Sequence, residues 1–179
     1  MRNSNESYGW MAITLHWSMV LLVLGMFLIG FYMVDLSYYD RLYNSLPYFH
    51  KSIGMLQAML FVFWLYWHLS NPSPRSLAEN SRLLQKLAKL VHRLFFVLLA
   101  LIFFSGYLVP TANGSAISVF GLFSIPASIT SIPGQADTAG LLHKYFSYAL
   151  IFMVLLHAAA ALKHHFIHRD QTLRRMLGL

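Results

Sequence analysis

Four long apolar stretches, separated by polar segments, dominate the pattern of positions along the chain. They predict helices at about residues 12–34, 49–69, 87–109 and 141–162, and none of these stretches contains Asp or Glu. Each is close to the ~20 residues that a helix needs to cross the hydrocarbon core of a bilayer. The pattern therefore predicts an all-α membrane protein, a four-transmembrane-helix bundle that forms a single domain over residues 1–179.

The segments between these helices differ in character. Residues 35–48 are rich in Tyr, which is typical of a loop at the headgroup boundary. Residues 71–86 are polar and contain two prolines, which makes them the clearest break in the chain. Residues 110–140 form a long loop, whose apolar middle at 116–126 we expect along the membrane surface. We expect the basic tail, residues 163–179, to be helical and interfacial.

The distribution of basic residues predicts the orientation of the bundle. With 58% hydrophobic and 11% charged residues, the chain is too apolar for a soluble domain of its length. Ten Lys and Arg residues flank one membrane face, namely Arg2, Arg75, Arg82, Lys86, Lys89, Arg93, Lys163, Arg169, Arg174 and Arg175. The other face has three, Arg41, Lys51 and Lys144. The positive-inside rule therefore places both termini in the cytoplasm. The distribution of the basic residues that give the net charge of +7 thus reflects membrane topology and does not indicate nucleic-acid binding.

Histidine is the candidate ligand type, because the chain has no cysteine. That absence excludes disulfides, thiolate-bound iron–sulfur clusters and covalent haem attachment through C-x-x-C-H. The fourth helix carries His143 and His157, fourteen residues apart. At ~100° and ~1.5 Å per residue, both rings project from one face and lie ~21 Å apart. Ionisable side chains at membrane depth are usually functional, although hydrogen bonding to neighbouring helices also explains such a pair.

The histidines of the four helices fall into two layers. At the outer end, His50 and His143 form a natural pair. At the inner end, His157 has three candidate partners on facing helices, which are His16, His92 and His68. Haem iron in a helix bundle takes two axial ligands from facing helices, whereas zinc takes about four ligands, which two histidines in a layer do not supply. Two stacked haems therefore fit the pattern better than zinc.

Two glycines bear on the same question. Gly30 follows His16, and Gly106 follows His92, by fourteen residues in each case. The histidine-bearing faces of the first and third helices therefore have no side chain at the depth of the outer layer. A flat macrocycle at that depth would require such free space. Ordinary close packing of helices through small residues also explains these glycines.

Several short motifs extend over most of the chain. They are His16-Trp17, His50-x-x-x-Gly54, His143 opening the fourth helix, His157-Ala-Ala-Ala-Ala-Leu-x-His164-His165 and Thr172-Leu-x-Arg-Met176. With them the chain resembles the bacterial cytochrome b561 family of four-helix, two-haem membrane cytochromes, which is related to the cytochrome b subunits of nickel hydrogenases. The resemblance implies a location in the bacterial inner membrane. It also implies two non-covalent haems b, an inner one held by His16 and His157 and an outer one held by His50 and His143.

The resemblance also suggests a reaction. The best-described relative oxidises periplasmic superoxide and passes the electrons to ubiquinone. Lys51 and Lys144 each follow an outer-layer histidine and are the candidate catalytic residues, since they would attract a small anion such as superoxide. Pairing with haem propionates, or simply reaching the headgroups, explains the same two lysines.

Three functions remain open from the sequence. The first is an oxidoreductase that takes electrons from superoxide and reduces ubiquinone. The second is an electron-transfer subunit that relays electrons between quinone and a protein redox partner, and the third is a membrane anchor that holds haem. His164 and His165 are expected at the inner interface, and protonation of a reduced quinone by one of them is an alternative role. The lipid bilayer is the remaining expected partner.

Overall fold

The computed structural model describes residues 2–75 and 82–179 and confirms the predicted all-α bundle. Within these residues, four helices are long and apolar enough to cross a membrane: α1 (Trp10–Met33), α2 (Ser45–Ser70), α3 (Arg82–Thr111) and α4 (Gln135–Lys163). The protein is therefore a multi-pass membrane protein. Residues 76–81, inside the predicted break at 71–86, lie outside the described part of the chain.

The four long helices begin two to six residues before the apolar stretches from which they were predicted. In α2 and α4 the added first turns contain residues suited to helix starts. Pro47 lies in the first turn of α2, where its missing N–H removes no helical hydrogen bond. Gly134 precedes α4 with a φ of 68°, a left-handed conformation that glycine adopts without steric cost. Asp137 follows in the first turn of α4, where the helix dipole favours a negative charge.

The buried core lies in the middle of the bundle. α1 packs beside α2, and α3 packs beside α4. All four helices contribute to one buried cluster, which consists of Met19, Phe61, Leu99, Ile102 and Leu150. Since Leu150 is midway along α4 between His143 and His157, this cluster separates the two histidine layers. Large apolar side chains such as Leu21 and Leu28 are exposed on the outside, as a surface covered by lipid requires.

A short β-hairpin occupies the loop between α3 and α4. Its strands are β1 (Ile117–Val119) and β2 (Phe123–Ile125), paired antiparallel with Ile117 opposite Ile125. Phe120 and Gly121 have φ values of 51° and 72°, the paired left-handed conformation of a tight hairpin turn. β1 is buried against Met55 of α2. The segment expected along the membrane surface is therefore partly folded onto the bundle.

The tail is helical, as expected, and folds back onto α1. α4 continues as a π-helical segment, His164–His168, and α5 (Thr172–Leu177) follows. The indole Nε1 of Trp17 donates a hydrogen bond of 2.8 Å to the carbonyl of Met176. We call this end of the bundle, where α1 and α3 begin, the termini end. The opposite end, where α2 and α4 begin, is the hairpin end.

Candidate functional site

His50 and His143 meet at the hairpin end of the bundle. Both residues lie near the start of their helices, and these two helices run in the same direction, so their side chains lie at the same depth. The ring centres are 6.2 Å apart and the ring planes are inclined by 82°. The structure thus brings together the two histidines that the sequence assigned to the outer layer.

Each of these rings lies against a glycine of a neighbouring helix. A Cβ atom added to Gly30 would lie 3.2 Å from Cε1 of His50. One added to Gly106 would lie 2.9 Å from Cε1 and 3.1 Å from Nδ1 of His143. In the structure, histidine rings occupy the space beside these two glycines.

The two rings differ in their hydrogen bonds. Nδ1 of His143 lies 2.9 Å from the carbonyl oxygen of Ile102 on α3. The hydroxyl of Ser105, which donates to the carbonyl of Leu101 at 2.7 Å, is 3.4 Å from the same ring nitrogen. By contrast, Nδ1 of His50 is buried and has no hydrogen-bond partner among the described residues.

Three histidines meet at the termini end. The ring centre of His157 is 6.5 Å from that of His16 and 5.5 Å from that of His92. His68, the third partner that the sequence left open, stacks on Phe96 with ring centres 5.1 Å apart. The ring contacts of His157 therefore favour His16 and His92 over His68.

Ring spacing tests whether these residues fit a haem. With a metal–nitrogen bond of ~2.0 Å and a ring centre ~1.1 Å further out, two axial imidazoles of one iron have centres ~6.2 Å apart. The separations of 6.2 Å for His50 and His143 and 6.5 Å for His16 and His157 fit that value. The 5.5 Å between His92 and His157 is shorter. Two imidazoles in a layer suit haem iron, because the macrocycle supplies its other four ligands.

Lys51 and Lys144 each follow one of these histidines in the sequence, at the hairpin end. Both are exposed, and neither forms an ion pair within residues 2–75 and 82–179. The next residue after Lys51 is Ser52, which is fully buried and accepts a 3.2 Å hydrogen bond from the N–H of Phe120. The hairpin is thus attached to α2 directly beside Lys51.

Sequence reasoning missed two serines near the outer-layer histidines. Ser52 holds the hairpin turn, and Ser105 lies beside Nδ1 of His143. Each serine is a single small polar residue in an apolar helix, which carries no pattern of its own. The sequence offered one indication of their roles, since Ser52 follows Lys51 and Ser105 precedes Gly106.

The tail histidines lie in a polar cluster at the termini end. Nδ1 of His164 is 2.5 Å from the carboxylate of Asp170, which also accepts a 2.8 Å hydrogen bond from the N–H of Thr172. Burial raises the pKa of Asp170, but the hydrogen bonds from Thr172 and His164 outweigh it, so the pKa lies below its usual value. Nδ1 of His165 is buried without a partner in the described part of the chain.

A membrane-spanning four-helix bundle with interior histidines in two layers has the architecture of a membrane electron-transfer cytochrome. The family model of prokaryotic cytochrome b561 matches residues 7–179, and the chain belongs to this family. Membership implies a b-type haem.

Two curated relatives match nearly the whole chain. One is cytochrome b561 homolog 2 of Escherichia coli K12, 43% identical over 98% of this chain and 94% of the relative. The other is the probable superoxide oxidase CybB of Yersinia pestis, 27% identical over 97% of both chains.

Proposed function

We propose that this protein holds two non-covalent haems b and carries electrons across the bacterial inner membrane, with both termini in the cytoplasm. His50 and His143 ligate the haem at the hairpin end, and His16 and His157 ligate the haem at the termini end. The observation that carries the proposal is the pair of ring separations, 6.2 Å and 6.5 Å, since both suit two imidazoles on one iron.

The positions of the two histidine pairs along the bundle support electron transfer between the two membrane faces. The two ligand pairs lie at opposite ends of α4, and the buried cluster that contains Met19, Phe61 and Leu150 fills the space between them. Each bound haem supplies one-electron redox chemistry. With two protein ligands on each iron no open coordination position remains, so the site exchanges electrons and does not bind oxygen.

We propose superoxide as the electron donor and ubiquinone as the acceptor, which makes the protein an oxidoreductase. Two superoxide anions are oxidised to two molecules of oxygen, and the two electrons reduce one quinone to quinol with two protons taken from the cytoplasm. Lys51 and Lys144 are exposed beside the periplasmic ligand pair, where their charges would attract an anion. The likeness to a probable superoxide oxidase also supports this donor.

A second candidate function is a relay between quinone and a protein redox partner, without superoxide activity. One observation favours it. At the hairpin end, Leu122 is 82% exposed and the neighbouring Phe123 is 41% exposed. This apolar tip would suit contact with another protein better than attraction of a small anion.

Stopped-flow reduction of the purified haem-loaded protein separates the two functions. Superoxide should reduce the haems rapidly, superoxide dismutase should abolish that reduction, and ubiquinone should then reoxidise them. If superoxide leaves the haems oxidised while ubiquinol reduces them, the oxidoreductase proposal is wrong and the relay takes its place.

A further inference from the structure

α3 holds the ring of His143 although, in the proposed ligation, α3 supplies no haem ligand at the hairpin end. Ile102 and Gly106 are four residues apart and therefore lie on one face of α3. At Gly106 the absence of a Cβ atom leaves a notch, since such an atom would lie 2.9 Å from the His143 ring. One turn away, the Ile102 carbonyl lies 2.9 Å from Nδ1 of the same ring. The ring thus meets α3 at two points.

The contact with the Ile102 carbonyl fixes the tautomer of the His143 ring. A backbone carbonyl only accepts hydrogen bonds, so Nδ1 of His143 must carry the proton and donate it. The other ring nitrogen, Nε2, then has the free lone pair and is the one nitrogen left to bind a metal. The hydroxyl of Ser105 lies 2.7 Å from the Leu101 carbonyl and 3.1 Å from the Ile102 carbonyl. It has a single proton and donates it over the shorter distance, so the Ile102 carbonyl accepts chiefly from Nδ1 of His143 at 2.9 Å.

His50 is held differently. Its ring lies beside Gly30 with a wider margin, 3.2 Å from a hypothetical Cβ atom. Its Nδ1 finds no hydrogen-bond acceptor in the described parts of the chain. The two imidazoles at the hairpin end are therefore unequal in both position and hydrogen bonding.

We propose that Gly106 and the Ile102 carbonyl are positioning groups that fix the orientation and tautomer of His143 and make it the more electron-donating axial ligand at the hairpin end. The inference rests on the proposed ligation by His143. A hydrogen bond from Nδ1–H to a carbonyl increases electron donation by the metal-bound nitrogen and stabilises the oxidised metal. α3 therefore lowers the reduction potential of the haem at the hairpin end.

The main competing explanation is that Gly106 only allows α3 and α4 to approach closely. Three alanine variants distinguish the two roles. In Gly106→Ala the new methyl group would lie 2.9 Å from the His143 ring, so the ring or the helix must shift. In Gly30→Ala the neighbouring ring of His50 needs to give by only a few tenths of an ångström. Gly25→Ala is the matched control, because no described atom apart from its chain neighbours and its own helix backbone lies within 4 Å of the added Cβ.

The readouts are the midpoint potential and the electron paramagnetic resonance signal of each haem. We expect Gly106→Ala to raise the potential and shift the largest g value of one haem, to leave the other haem unaltered, and to act more strongly than Gly30→Ala. Gly25→Ala should match the unaltered protein. An unchanged potential in Gly106→Ala, or equal shifts of both haems, would overturn the proposal.

A second measurement covers the case in which Gly106→Ala does not fold. In the reduced, diamagnetic protein labelled with ¹⁵N-histidine, the Nδ1 proton of His143 should resonate further downfield than that of His50. Equal shifts would contradict the proposal. If His143→Ala retains both haems, the ligand assignment has failed instead, and that outcome is separate from a failure of the positioning role.

Discussion

The ring centre of His92 lies 5.5 Å from that of His157, whereas the ring centres of His16 and His157 are 6.5 Å apart. Proximity alone would thus select His92 as the partner of His157. The separation of 6.5 Å is nearer than 5.5 Å to the ~6.2 Å expected for two imidazoles on one iron, which supports our proposal of His16. This difference gives a direct test of the proposed ligand set.

We predict that His16→Ala loses the low-spin haem at the termini end, while His92→Ala keeps both haems. The absorption and paramagnetic resonance spectra of the purified variants report which haem remains. His143→Ala is the companion variant and should lose only the haem at the hairpin end. If His92→Ala removes a low-spin haem and His16→Ala does not, His92 is the ligand.

We predict two extractable haems b for each chain. Acid acetone should remove all of the pigment from the polypeptide, because the chain has no cysteine to bind haem covalently. A pyridine haemochrome assay against protein concentration should give a ratio of two. A ratio of one, or pigment that stays with the polypeptide, would contradict the two-layer assignment.

The parts of this arrangement that the sequence could predict are those set by length and periodicity. The spans follow from apolar length, and the shared depth of His50 and His143 follows from their positions near helix starts. Periodicity gives the face of a helix but not the distance between rings on different helices. For that reason periodicity alone leaves the choice between His16 and His92 open, and the assignment of His16 rests on the family resemblance and stays a prediction.

The hairpin and the serine contacts depend on tertiary packing that no local pattern encodes. The turn at Phe120 and Gly121 lacks the Asn-Gly or Asp-Gly pair that usually marks a hairpin. Its strands are only three residues each, and β1 is fixed by burial against Met55 and by the hydrogen bond between Ser52 and Phe120. Gly121 between two short apolar runs was the one available signal.

We predict that Asp170→Asn destabilises the docked tail by ~1.5–3 kcal/mol, the range of a hydrogen bond to a charged group. The carboxylate holds His164 and the N–H of Thr172, and its pKa is lowered in the folded protein. Its stabilising effect is therefore present above the unfolded pKa of ~3.9 and is lost as pH falls through the lower folded value.

Thermal unfolding in detergent, followed by the fluorescence of Trp17 beside Met176, measures this effect. At neutral pH the variant should unfold at a lower temperature than the unaltered protein. The difference should shrink as the pH is lowered towards 3. A difference that does not change with pH would show that the Asp170 charge does not hold the tail.

The last prediction concerns Lys51 and Lys144. If the two ammonium groups attract superoxide to the hairpin end, Lys51→Gln with Lys144→Gln should slow haem reduction by superoxide roughly tenfold, the lower end of the range for electrostatic steering. Added salt should also slow the unaltered protein, because exposed charges are screened over ~10 Å at 0.1 M. Reduction by neutral ubiquinol should change little, since that substrate carries no charge to steer.

Arg41→Gln is the matched control, because it removes an exposed cation on the same side that does not adjoin a candidate ligand. Loss of charge near the haem also shifts its potential, so the potentials of all variants must be measured beside the rates. A slower rate at unchanged potential, together with a weaker salt dependence, identifies steering by the two lysines. If the double variant keeps both the rate and the salt dependence of the unaltered protein, the lysines serve only as contacts to lipid headgroups.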